Sequence, residues 1–185
     1  MKEEALIQPS PDYRKLYSYQ KSDAIMQMTV IFCNRFVGNG FNRTVDQMVQ
    51  AARSVKQNIA EGSKRHSTST SGEINLLGVA FASLFELLED YLDYLKINHL
   101  ELWAEESEQF RWMREHGAKR NDAPFYTEFA ETRPAETVAN IAIIAIQQCA
   151  FLLDRHLKSL GQSFLEEGGF KERMTRLRLQ RRERR

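Results

Sequence analysis

The run Gln47–Arg65, QMVQAARSVKQNIAEGSKR, followed by the periodic segment Glu73–Leu95, constrains the fold more than any other part of this 185-residue chain. Val45, Met48, Ala52, Val55 and Ile59 recur at spacings of three and four, which lines one side of an α-helix. A second stripe of the same period, Gln47, Ala51, Ser54, Asn58 and Glu61, is small and polar. An unsatisfied buried polar group costs roughly 1–3 kcal/mol. Asn58 and Glu61 are therefore expected to bond across the helical interface or to close the turn around Gly62. In the second segment Ile74, Leu77, Phe81, Leu84, Leu88, Tyr91 and Leu95 keep the three-four alternation. Gly62 stands where a left-handed C-cap takes glycine, Ser63–Gly72 reads as the connection, and Thr70 with Glu73 has capping-box spacing.

A connection this short makes the two helices antiparallel neighbours. Counting outward from the turn brings Ala51, Ala52 and Ser54 level with Ala80, Ala82 and Ser83. Small residues at facing levels let backbones approach, so the closest contact is expected there.

The run Gln47, Ala51-Ala52, Arg53-Ser54-Val55, Asn58-Ile59-Ala60-Glu61-Gly62 and Arg65, with Ser83-Leu84-Phe85-Glu86-Leu87-Leu88-Glu89 downstream, resembles the four-helix-bundle family of 23S rRNA intervening-sequence proteins. The accessory proteins of diversity-generating retroelements are similar. The resemblance covers about Leu16–Ile97, with a looser match near Pro134–Leu160. It implies a small up-down bundle that assembles as a homopentameric barrel without catalytic activity. Its retroelement relatives bind nucleic acid and a reverse transcriptase. An insertion at about Asn98–Arg133 and an arginine-rich end lie outside the family pattern.

The other helices follow from the same periodicity. The first is expected from about Lys15 to Val37, stopping before Gly38-Asn39-Gly40. Its apolar residues, from Ile25 to Val37, cover more than one face, which in a four-helix bundle favours oligomerisation. Within the insertion Leu100, Trp103, Phe110 and Met113 suggest a short accessory helix ending at His116-Gly117. Residues Ala118–Thr132 read as a loop anchored by Phe125, Tyr126 and Phe129. Pro134 suits the first turn of the last long helix, with Glu136 favourable at its positive end.

One domain of ordinary core size fits this length. The N-terminus lacks an apolar signal core, and the run Val138–Leu153 is broken by Asn140, Gln147 and Gln148. A membrane span takes about 20 apolar residues, so the expectation is a cytoplasmic protein with no membrane partner. Cys33 and Cys149 each sit inside an apolar helical pattern and read as buried free thiols.

Charge is unevenly placed. Residues 171–185 hold eight Lys or Arg against two Glu, giving +6, which leaves −5 for residues 1–170 of a total of +1. A basic end on an acidic body suits polyanion binding. The alternatives for the tail are docking on a neighbouring subunit's acidic face, or on a membrane surface through a turn or two carrying Phe170, Met174, Leu177 and Arg181. A second cationic set, Arg53, Lys56, Lys64 and Arg65 with His66, lies along the second helix and its tip.

Signals for catalysis are sparse. Glu86, Glu89, Asp90 and Asp93 form an acidic stripe at helical spacing, read mainly as solvated and paired with basic residues. A metal-using enzyme built on Glu86 and Asp90 is the weakest alternative. The four histidines are isolated from one another in sequence. No Glu-x-x-His pair, phosphate loop, dinucleotide motif or nucleophile elbow occurs.

The reading is therefore an all-α, up-down antiparallel four-helix bundle with a short accessory helix in the third connection and a basic C-terminal extension. The N-terminal arm would span 1–14, the bundle 15–161 with its insertion at 98–133, and the extension 162–185. Its expected role is non-catalytic and oligomeric, without cofactor or metal. RNA or DNA would be contacted through phosphate charge by Arg53, Lys56, Lys64 and Arg65 and by Arg173, Arg176, Arg178, Arg181 and Arg182. The competing expectation is a scaffold that binds a reverse transcriptase or another protein and has no nucleic-acid role.

Overall fold

The computed structural model describes residues 7, 10–38 and 42–183, and within that range the chain is helical with no strand. A 3-10 turn, Tyr13–Lys15, leads into α1 (Tyr17–Phe32), which runs on through a π turn at Cys33–Val37. There follow α2 (Asn42–Arg65), α3 (Thr70–Ile97), α4 (Glu108–Lys119), α5 (Ala123–Thr132), α6 (Ala135–Glu167) and α7 (Phe170–Glu183). Gly38-Asn39-Gly40, the expected stop of the first helix, lies partly outside the described residues.

Four long helices close a circuit: α1 packs on α2, α2 on α3, α3 on α6, and α6 on α1. The α2–α3 contact is the most extensive. The hydroxyls of Ser54 and Ser83 meet at 2.9 Å, and Ala51, Ala52 and Ala80 are buried, so the expected register holds. Ala82 is exposed and lies off that face. Asn58 donates to the Ser54 carbonyl at 2.9 Å and to its hydroxyl at 3.1 Å, tying it into the same polar seam.

Inside the circuit, Phe32 meets the rings of Tyr91 and Tyr94 at 4.9 and 4.8 Å, and Tyr91 donates to Thr29 at 3.0 Å. Phe32, fully buried, contributes about 1.5–3 kcal/mol. Residues 138–146 of α6 are buried without interruption, as a helix covered on every side requires. By length and composition α3 and α6 would each be apolar enough to cross a membrane. Here both pack on other helices of the chain.

Several local expectations are corrected. Gly62 is not a cap, because α2 continues to Arg65 and only His66–Ser69 connect it to α3. A Cβ at Gly62 would sit 3.4 Å from the Glu73 carbonyl, so the glycine marks a close approach of α2 to α3. The N-cap of α3 is Ser69, which accepts from the Gly72 N–H at 3.0 Å, and Glu73 turns inward instead of back to the cap. Leu100 and Trp103 precede the accessory helix, whose buried face is Phe110, Met113 and Gly117. The last long helix runs through Gly161 to Glu167, where Gly168 (φ 75°) ends it.

The largest correction concerns Ala118–Thr132, read as a loop. Most of it is α5, started by Asp122, whose carboxylate accepts from the Phe125 N–H at 3.3 Å, with a proline in its first turn. Its aromatic group anchors it as expected: Tyr126 is buried, and Phe125 and Phe129 pack on the core. α5 lies on α1 and α4 lies on α6, so the insertion forms a second layer. Most of the wide apolar arc of α1 is covered by α2, α5 and α6 of the same chain, while Val30 stays exposed.

Candidate functional site

The four cations expected on α2 do not act as one patch. Lys56 is half-buried and paired with Asp23 of α1 at 2.5 Å, and Arg65 is paired with Glu61 at 2.7 Å. Lys64 is exposed, 5.5 Å from the Tyr13 ring centroid. Arg53 is exposed on the rim of a groove described below. Among the described residues, Arg53 and Lys64 have no carboxylate partner, whereas Lys56 meets one thirty-three positions away in sequence.

The tail is ordered as α7, a helix with no buried residue. Gly169 and Glu172 begin it: the Gly169 N–H donates to the Glu172 carboxylate at 3.0 Å. Arg173 is held back at the α2–α3 connection, donating from Nη2 to the Ser67 carbonyl at 3.3 Å, with its Nε buried and unpartnered. Arg176, Arg178, Arg181 and Arg182 are exposed. Arg178, Arg181 and Arg182 share one helical face with Met174 and Leu177, following i, i+3 and i, i+4 spacing.

The acidic stripe differs from its reading as a paired surface. Among the described residues none of Glu86, Glu89, Asp90 and Asp93 has an ion pair. Glu86, Glu89 and Asp90 line an open groove of about 1220 Å³ between α2 and α3. Partial burial, with Asp93 and Glu86 close by, raises the Asp90 carboxyl above its ordinary value. Among the described residues no three His, Cys, Asp or Glu side chains gather as a metal would require.

Three polar centres escaped the sequence reading. The first is the buried amine of Lys21 on α1. It donates to the Gly117 and Arg120 carbonyls at 2.5 and 2.6 Å, to Tyr126 Oη at 2.5 Å and to Gln148 Oε1 at 3.2 Å. Burial lowers its pKa to about 8, against the opposing pull of Cys149 and Asp122. Gly117 makes room for the cage: a Cβ there would lie 2.9 Å from Gln148 Oε1 and 3.0 Å from Tyr126 Oη. Arg35, at the other end of the α1 run, donates to the carbonyls of Ala130 and Arg133. Two cations of one helical run thus satisfy the C-terminal carbonyls of α4 and α5, where the helix dipole is negative.

The second centre is Asn140, 2% exposed on α6. It accepts from the Trp103 N–H at 2.8 Å and donates to the Glu101 and Glu136 carbonyls, both at 2.9 Å, fastening the extended lead-in to the insertion. The third is Glu73, 1% exposed, which meets His66 Nδ1 at 2.7 Å and faces His156 Nε2 at 3.8 Å. The histidines that stand apart in sequence therefore share one carboxylate. Burial lowers the His156 pKa, with Glu73 opposing and His66 adding to the shift. The cluster ties the α2–α3 connection to α3 and α6. For Asn140 the signal was present, since a polar residue inside an otherwise apolar helix must find partners, whereas Lys21 and Glu73 stand among other polar residues and nothing local marks them.

Both cysteines are buried free thiols. Burial pushes each up to about 12, which leaves them protonated and unreactive.

Comparison with protein-family models, with curated proteins and with solved structures finds no match to this chain.

Proposed function

We propose that this chain is a non-catalytic, oligomeric four-helix bundle that associates with RNA or DNA through phosphate contacts. The assembly would be of the homopentameric kind that the resemblance to 23S rRNA intervening-sequence proteins implies. The closed circuit of α1, α2, α3 and α6 supports the bundle, with α4 and α5 as an added layer. The observation that carries the nucleic-acid reading is α7, a helix with no buried residue and with exposed arginines along one side. Such a helix follows a phosphate backbone by charge and reads no base edge. Arg178, Arg181 and Arg182 are its principal contacts, with Lys64 and Arg53 secondary. Lys56, Arg65 and Arg173 are committed to protein partners and contribute least.

The test is binding of single-stranded RNA and duplex DNA as a function of salt, comparing the natural chain with Arg178→Gln/Arg181→Gln/Arg182→Gln. The logarithmic salt slope should shrink by about 2–3, one phosphate per arginine. Absence of binding at low salt by the natural chain sinks the reading.

A further inference from the structure

Two surfaces of one chain carry opposite charge without ion pairs among the described residues. One is the groove between α2 and α3. Its lining holds Val30, Val45 and Val49, the cations Arg43 and Arg53 with Asp46, and Glu86, Glu89 and Asp90, which among the described residues have no ion pair. The other is the exposed set Arg178, Arg181 and Arg182 of α7, which follows the half-buried Met174 and Leu177. We propose that the exposed arginine face of α7 of one copy docks in the α2–α3 groove of a second copy, with Arg178, Arg181 and Arg182 on Glu86, Glu89 and Asp90.

Length, charge and stability support that occupant. The groove runs along α2 from Arg43 to Ser54, which at 1.5 Å per residue is roughly 17 Å, and the fourteen-residue α7 is about 21 Å long. Fourteen residues is near the length below which an isolated helix is marginal in water, about 12–15. Arg178 also repels Arg181 and Arg182 at i+3 and i+4, which weakens the lone helix further. An anionic groove relieves that repulsion. Partial burial beside Asp93 and Glu86 holds the Asp90 carboxyl above its ordinary value, and an incoming guanidinium would reverse that pressure.

The helix cannot serve its own groove. Arg173 is fixed to Ser67 at the hairpin connection, and Arg182 lies nine residues further on, at most about 14 Å along α7. Ser54 and Arg43 lie thirteen and twenty-four residues back along α2 and its connection, roughly 20 and 36 Å away. No α7 residue lines the groove. The contact is therefore head-to-tail between different patches, the kind that closes into a ring when its rotation allows. It stands apart from the nucleic-acid reading and competes with it for α7.

Sedimentation of the full chain, freed of nucleic acid and examined at low and high salt, tests this. Arg178→Glu/Arg181→Glu/Arg182→Glu and, separately, Glu86→Lys/Glu89→Lys/Asp90→Lys should each weaken self-association at least tenfold. The chain carrying both sets, whose net charge equals that of the natural one, should recover it. A synthetic peptide of residues 170–185 added to the unmodified chain should break the assembly into smaller species, a readout that needs no variant to fold. The proposal is overturned if the chain is monomeric at every concentration. It is equally overturned if assembly needs nucleic acid, if it ignores peptide and reversals, or if the folded doubly reversed chain fails to recover.

Discussion

The insertion α4–α5 and the tail helix α7 are both additions to the α1–α2–α3–α6 circuit, and they treat polar groups in opposite ways. The insertion presents helix C-termini, and the circuit answers with buried donors: Lys21 to Gly117 and Arg120, and Arg35 to Ala130 and Arg133. Asn140 and Gln148 of α6 complete the attachment, the latter donating to the Arg114 carbonyl at 2.9 Å. The tail is itself rich in donors: Arg173 reaches the Ser67 carbonyl of the body, while Arg178, Arg181 and Arg182 stay exposed. An element becomes part of the core when its orphan groups are satisfied from the body, and stays available to an outside partner when they are not.

Breaking the insertion's attachment should have the largest effect. Lys21→Met removes the cage donor while leaving its carbonyls and Tyr126 buried, and should cost about 3 kcal/mol in urea unfolding. The same variant sharpens the point through pH. Between about pH 8 and the ordinary 10.5 the folded chain holds fewer protons at Lys21 than the unfolded chain, so this site makes stability rise with pH. Stability curves of the natural chain and Lys21→Met, subtracted over that window, should show that slope. Equal slopes would mean that the amine is not buried in solution. Asn140→Ala comes next, at about 2 kcal/mol, and should speed amide exchange at Glu101 and Trp103 ahead of the rest of the insertion. The smallest effect belongs to the tail: Arg178→Gln/Arg181→Gln/Arg182→Gln should move monomer stability by less than about 0.5 kcal/mol. A loss approaching that of Lys21→Met would show that α7 is packed after all and erase the contrast.

The same contrast explains what was legible in the sequence. The α2–α3 hairpin could be read to the level of Ser54 facing Ser83, because periodicity and a short connection are local signals. The caps were read a few residues off, since Gly62 and Glu73 obey tertiary demands: one lets two backbones approach, the other answers a histidine. α5 was missed because ten residues started by Asp122 and Pro124 give too short a pattern to outweigh a polar, proline-containing context. Its stability comes from α1, about ninety-five residues earlier. Among the candidate cations, α7 was legible as a charge run. The commitment of Lys56 to Asp23 was not, for it exists only once α1 and α2 lie side by side.

Lys21 also equips the protein with a chemical clock. It is 1% exposed, so amine-acylating reagents reach it only when the insertion lifts away from α1. Exposed lysines such as Lys64 and Lys119 react at the pace of the reagent. Mass-spectrometric counting of modified Lys21 against those two therefore times the undocking of α4 and α5 within the intact chain. If a partner seated on the insertion clamps it shut, the clock slows while every surface lysine outside that footprint keeps its rate.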